Sequence, residues 1–111
     1  MRVISWIRAA QKDFDKFPLE ARQKMIRALK IAAQGQKADI AKPMKGLGSG
    51  VYEIVLRHES SAYRVVYAVQ IGADLWVIHA FQKKSKKGIS TPKQDIDVIR
   101  ERTKWLKENI R

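Results

Sequence analysis

The sequence predicts an α+β fold: an N-terminal helical hairpin packed on a small antiparallel β-sheet with a C-terminal helix, in the order β-α-α-β-β-β-α. Three observations carry the prediction. Apolar residues recur at spacings of three and four on both sides of Pro18, the period of amphipathic helices. Between Val51 and Phe81 the pattern turns to alternation, then to a run apolar on both faces, which marks strands and, for the last, a central one. After Thr91-Pro92 the helical spacing returns and continues to Ile110. At 111 residues, 45% hydrophobic and 31% charged, the chain reads as one domain, residues 1–111, with one modest core.

The elements follow in order. Arg2 to Ser5 is β-branched at its centre and suits an edge strand. Ile7, Ala10, Phe14 and Phe17 then form one helical stripe, with Ser5 the expected N-cap. Pro18 disfavours helix in the residue before it yet suits the first turn of a new one. A second helix is therefore expected there, burying Leu19, Ile26, Leu29 and Ala33 with Met25 and Ala32 beside them, and ending at Gly35. Periodicity is lost from Lys37 to Gly50, where Pro43, Gly46, Gly48 and Gly50 make a loop that carries Lys42 and Lys45.

Val51 to Arg57 and Ala62 to Val69 alternate as strands. If Glu59 and Ser60 are the two turn residues, 58 pairs with 61, 56 with 63 and 54 with 65. That register puts Arg57 diagonal to Arg64 on one sheet face. Leu75 to Phe81 is the third strand, and residues 82–90 form a basic loop with Lys83, Lys84, Lys86 and Lys87. Thr91, Pro92 and Gln94 read as an N-cap, a first-turn proline and a capping-box residue. Ile96, Ile99, Thr103, Leu106 and Ile110 give the last helix its buried side.

Charge narrows the function. Lys plus Arg number 23 against 11 Asp plus Glu, a net charge of +12. Like charge at that density opposes compaction, and a polyanion relieves it by releasing its counterions. RNA or another nucleic acid is the partner such a footprint fits. There is no cysteine, which excludes disulfides, thiolate metal sites and cysteine nucleophiles and fits a reducing compartment. No apolar run resembles a signal peptide or a membrane span, so a cytoplasmic protein without membrane contact is expected.

Motifs for other chemistries are missing. The central strands offer Glu53, with Asp74 near an end, and His58 and His79 lie 21 residues apart. A protein-bound catalytic metal is not expected from that donor set, and no nucleotide-cofactor motif follows a strand. The cations remain: Arg57 and Arg64 from one face, Lys83 and Lys84 from the end of the central strand, Lys42 and Lys45 from the glycine loop. A bidentate arginine stabilises charge on the non-bridging oxygens of a reacting phosphate. RNA supplies its own nucleophile, the 2′-hydroxyl, so a cleft that orients the phosphate can suffice. Each cation also has a bland reading as solvated surface charge. His79, on a mostly apolar strand, reads first as a hydrogen-bonded core or rim histidine.

Leu47 to Lys84 carries Tyr-Glu-Ile-Val-Leu-Arg at 52–57, Tyr-Arg-Val-Val-Tyr at 63–67 and His-Ala-Phe-Gln-Lys-Lys at 79–84. In this combination, and in layout over nearly its whole length, the chain resembles the HigB-like, phage-derived branch of the RelE/ParE toxin superfamily. The resemblance implies the toxin of a type II toxin–antitoxin system, an endoribonuclease needing no cofactor. It would cut mRNA on the ribosome and be neutralised by a helix-turn-helix antitoxin of the HigA kind. It implies catalytic roles for Arg64, on the scissile phosphate, for Lys84, as a second basic residue after the last strand, and for Arg57, as a further strand arginine. His79 is added as a candidate from its residue type, and Lys42, Lys45, Lys83, Lys86 and Lys87 are the expected RNA contacts. RelE itself has lysines on the strand where this chain has Glu53 and Val55, and the family's tyrosine near the C-terminus has no counterpart. Proton transfer is therefore left to His79, Lys83 or Glu53.

Two other readings stay open. One is a catalytically silent RNA- or ribosome-binding module. The other is a ParE-like toxin acting through protein contact. Charge favours RNA over protein contact, and Arg64 beside the Lys83-Lys84 pair favours cleavage over binding alone. The expectation is also that Arg64→Ala abolishes activity and leaves the fold intact.

Overall fold

The computed structural model describes residues 1–84 and 90–110, with Lys84 described by its place in a strand and not by its side chain. In chain order the elements are β1 (Ile4–Trp6), α1 (Arg8–Phe14), α2 (Leu19–Ala33), β2 (Ala41–Pro43), β3 (Val51–His58), β4 (Ser61–Ala68), β5 (Leu75–Lys84) and α3 (Lys93–Asn109). The α+β class expected from the periodicities is the one observed.

The strands form a five-stranded sheet in the order β1-β5-β4-β3-β2. β5 is apolar on both sides because it lies inside the sheet, between β4 and β1. The sheet is mixed: β1 runs parallel to β5, Ser5 pairing with Trp76, while the other pairs are antiparallel. A parallel neighbour needs a crossover, and α1 and α2 lie on the chain path between β1 and the rest of the sheet. The β3–β4 hairpin has the expected register, His58 with Ser61, Leu56 with Tyr63 and Ile54 with Val65. Part of the segment read as loop is strand: Ala41, Lys42 and Pro43 pair with Ile54, Glu53 and Tyr52. Three residues are too few for a periodicity to show, and Pro43 is tolerated because β2 is an edge.

An apolar layer covers each sheet face. On one, Phe14, Met25 and Leu29 of the helices pack with Ile54, Val65, Tyr67 and Val77. On the other, Ile99 and Leu106 of α3 pack with Val51, Val66, Ala68 and Ile78. Two expected caps are absent. Ser5 sits in β1 and donates to Asp74 (2.7 Å), while α1 starts after Ile7 with no side-chain cap. Pro92, not Thr91, occupies the cap of α3, because the Thr91 hydroxyl is engaged elsewhere. Leu19 was expected inside and is 60% exposed. The buried side of α2 is centred on Ala21, Met25, Ala28 and Ala32, the three alanines giving the helix a smooth face and Met25 filling the space between it and the sheet.

Leu29 is fully buried, so Leu29→Ala should cost about 2–5 kcal/mol in urea denaturation, while Leu19→Ala should stay within about 0.5 kcal/mol. A second expectation concerns pH. Tyr67 is buried against Tyr52, ring centroids 5.4 Å apart. Burial, and then the neighbouring Tyr52, push its phenol from 10.0 up to about 12. The unfolded chain loses that proton first, so stability should hold below pH 10.0 and fall as pH rises toward about 12. Ultraviolet titration should show a late-ionising component that Tyr67→Phe removes.

Candidate functional site

The pairing of β3, β4 and β5 sets side chains in rows across the face that α3 covers. Successive rows read Glu53–Val66–His79, Val55–Arg64–Phe81 and Arg57–Ala62–Lys83. Lys42 of β2 adjoins the first row through its pairing with Glu53. Strict alternation would send His79 to the opposite face with Leu75 and Val77. A bulge prevents this: Val66 pairs with His79 and Tyr67 with Val77, so Ile78 is the extra residue. Bulges re-aim side chains in this way. Here the bulge turns His79 toward α3, onto the face that holds Glu53 and Arg64.

Arg64 is 1% exposed and Glu53 2%. The Arg64 Nη1 donates to Glu53 Oε2 at 3.3 Å and to the Thr91 hydroxyl at 3.4 Å. Thr91 in turn donates to the same Glu53 oxygen at 2.8 Å. The pair is single-pronged rather than bidentate, and the Arg64 Nε has no partner among the described residues. A guanidinium donates in a fixed fork, so this one keeps donor capacity unused.

His79 is 6% exposed and stacks on Phe81, centroids 4.9 Å apart. Its Nε2 lies 2.8 Å from Asp95 Oδ1 and its Nδ1 3.2 Å from the Nη1 of Arg102. A guanidinium can only donate, so Nδ1 accepts and the ring proton sits on Nε2, directed at Asp95. Arg102 also donates to the Ile78 carbonyl at 3.0 Å. Both ring nitrogens are thus occupied, which fits the hydrogen-bonded rim histidine expected of that strand.

Arg57 is exposed beyond this cluster, and Lys83 donates to the Ser90 carbonyl at 3.1 Å. The structure thus gathers Arg57, Arg64, His79, Lys83 and Lys42 on one face around the first turns of α3. Lys45 lies further along, exposed after β2. Lys84 pairs through its backbone with Ser61. Its side chain, and Lys86 and Lys87, lie outside the described residues.

Sequence reasoning missed Asp95 and Arg102, and assigned Thr91 to capping. A signal for the first two exists: seven residues apart, they share a flank of the helix beside the apolar stripe. Among the described residues no three His, Cys, Asp or Glu side chains converge as a metal site would need. No helix among them is long and apolar enough to cross a membrane.

Burial revises the expectation that Arg64→Ala leaves the fold intact, since truncation strands the Glu53 carboxylate in the interior. Arg64→Met should cost about 3–5 kcal/mol, and adding Glu53→Leu should recover most of it. A double-mutant cycle by chemical denaturation reads that coupling directly.

The profile of a family described as phage-derived protein Gp49-like (DUF891) matches residues 12–104. A free-state structure of an E. coli toxin RelE variant with two arginines replaced by alanine superposes with a TM-score of 0.64 at 19% identity, covering 94% of this chain and 96% of that one. A crystal structure of the isolated E. coli RelE toxin superposes with a TM-score of 0.61, also at 19% identity, covering 91% and 98%. No curated protein sequence matches. At that identity the two structures establish a shared RelE-like fold.

Proposed function

This chain belongs to the phage-derived protein Gp49-like family, and on that premise we propose that it is the toxin of a type II toxin–antitoxin pair, an endoribonuclease that cuts mRNA on the ribosome. It acts in the cytoplasm, needs no metal or cofactor, and is neutralised by a helix-turn-helix antitoxin of the HigA kind.

The observation that carries this reading is Arg64, a buried guanidinium whose Nε is left without a partner among the described residues. Leaving a buried donor unpaired is costly and calls for a ligand or a catalytic role. A phosphate oxygen is the partner that guanidinium geometry suits best. In the reaction the 2′-oxygen of one nucleotide attacks the adjacent phosphorus and the 5′-oxygen leaves. The products are a 2′,3′-cyclic phosphate and a 5′-hydroxyl end. Arg64 stabilises charge on the non-bridging oxygens. Glu53, the carboxylate beside it, takes the 2′-hydroxyl proton, and a lysine at the end of β5, Lys83 or Lys84, gives the leaving 5′-oxygen its proton. Arg57, Lys42, Lys45, Lys86 and Lys87 hold flanking phosphates. His79 acts by fixing α3 over the cluster. Because Arg64 is covered by Thr91, the segment around Thr91 and Pro92 lifts when RNA enters.

A second reading, the silent RNA-binding module, is favoured by one fact: in the closed form Arg64 is already neutralised by Glu53. Inducible expression in a bacterial host, with mRNA 5′ ends mapped within minutes, separates the two. The wild type should create new ends inside translated frames. The Arg64→Met, Glu53→Leu double variant, chosen because it replaces the buried pair together, should be folded and create none. Growth arrest without new ends would indicate a protein target, and the absence of both would indicate the binding module.

A further inference from the structure

We propose that the groove between the glycine loop after β2 and the outer flank of α3 is a second nucleic-acid contact, a site for the backbone phosphates of single-stranded RNA. It goes beyond the nuclease reading, because it lies toward the other end of α3 and requires no cleavage.

The groove has a volume of about 410 Å³, with Gly46, Leu47 and Gly48 on one wall and Arg100, Lys104 and Lys107 on the other. The three cations are exposed. Among the described residues none of them lies within ion-pair distance of a carboxylate, although Glu108 also lines the groove. At positions i, i+4 and i+7 they form one row on the helix, where like charges repel each other unless an anion bridges them. Gly48 holds φ at +99°, a conformation that favours glycine, and the Lys107 ammonium stands beside it.

An independent observation points to a ligand. Thr103 lines the same groove and is 5% exposed, yet its hydroxyl has no partner among the described residues. Threonine inside a helix ordinarily donates to the carbonyl one turn back. On the same turns of the helix as Arg100, Lys104 and Lys107, this buried hydroxyl is a donor that an anionic oxygen seated in the groove would satisfy. The three cations and the hydroxyl suit the repeated phosphates of a single strand. Lys42, paired with Glu53 in the edge strand, adds a further exposed cation on the same side of the sheet. At 1.5 Å per residue, the start of α3 at Lys93 and Lys104 stand roughly 16 Å apart along the helix, a span of several nucleotides.

The test is fluorescence anisotropy with a short single strand whose riboses are 2′-O-methylated, so that binding is read without cleavage. The groove variant carries Arg100→Gln, Lys104→Gln and Lys107→Gln, since glutamine keeps helix propensity. The control carries Lys12→Gln, Arg27→Gln and Lys30→Gln, equally exposed positions on the hairpin side. The groove variant should bind roughly 30-fold more weakly at low salt, with the slope of log affinity against log salt reduced by about 2. The control should lose less than about threefold. Thr103→Val should weaken binding roughly fivefold with the slope unchanged and thermal stability held or raised. Equal losses in the two triple variants, or wild-type binding by the groove variant, would overturn the site. Unchanged affinity in Thr103→Val would overturn the hydroxyl's part in it. Cleavage of unmodified RNA is scored separately, so failure here leaves the nuclease reading to its own test.

Discussion

Between β3 and β4, 3.3 Å separates a guanidinium nitrogen from a carboxylate oxygen, both out of water, with the Thr91 hydroxyl closing the triangle. Taking two charges out of water costs several kcal/mol per ion, and one long contact returns only part of that. The pair is not the cheapest way to fill that volume. What it does is fasten the start of α3 to the middle of the sheet. A second polar clamp, His79 with Asp95 and Arg102, repeats the arrangement further along the helix. Ile99 and Leu106 then hold the remainder by apolar burial. α3 is thus bound in two ways: by polar contacts from Thr91, Asp95 and Arg102, and by its core face. An anion arriving beside Arg64 would compete with the Glu53 and Thr91 contacts alone.

The same contrast explains what was legible in the sequence. The hairpin register followed from a two-residue turn and the side-chain period of two, and it placed Arg57 and Arg64 on one face before any coordinate was known. Apolar stripes located all three helices named here, and Pro18 located the break between the first two. What could not be read was decided by contacts distant in sequence. The parallel pairing of β1 depends on Leu75 to Val77, some seventy residues downstream. The cap expected of Thr91 was lost to Glu53, 38 residues away. A buried carboxylate outcompetes a helix terminus whose leading N–H groups can turn to water.

The bulge in β5 was the least legible feature and the most consequential for the site. Alternation along Leu75 to Phe81 assigns His79 to the hairpin side, because no local residue announces an extra position at Ile78. The tertiary demand is visible only in the fold: Ile78 must enter the α3 core while His79 must reach Asp95. Both face one way only if the ladder slips by one. Glu53 was legible only in part. From the sequence it was one of three candidates for proton transfer, with no partner assigned. In place, it neutralises Arg64 and anchors Thr91, which a lysine could not do beside a buried guanidinium.

A net charge of +12 favours contact with a polyanion without specifying where it would lie, and the distribution along α3 sharpens the point. The N-terminal end of a helix carries partial positive charge and favours carboxylates, the C-terminal end the reverse. Asp95 and Asp97 near the start and Lys107 in the last turn obey that rule. Arg100 and Lys104 sit mid-helix, where the dipole gives no such preference, so their alignment with Lys107 along the groove asks for another cause. Phosphates bound there would contribute association energy remote from the reacting bond. Remote binding energy of that kind can offset the cost of distortion at a reacting centre. On the proposed reading the distortion to be offset would be the lifting of Thr91 from Glu53, and the helix that would hold the remote phosphates is the one that would have to release it.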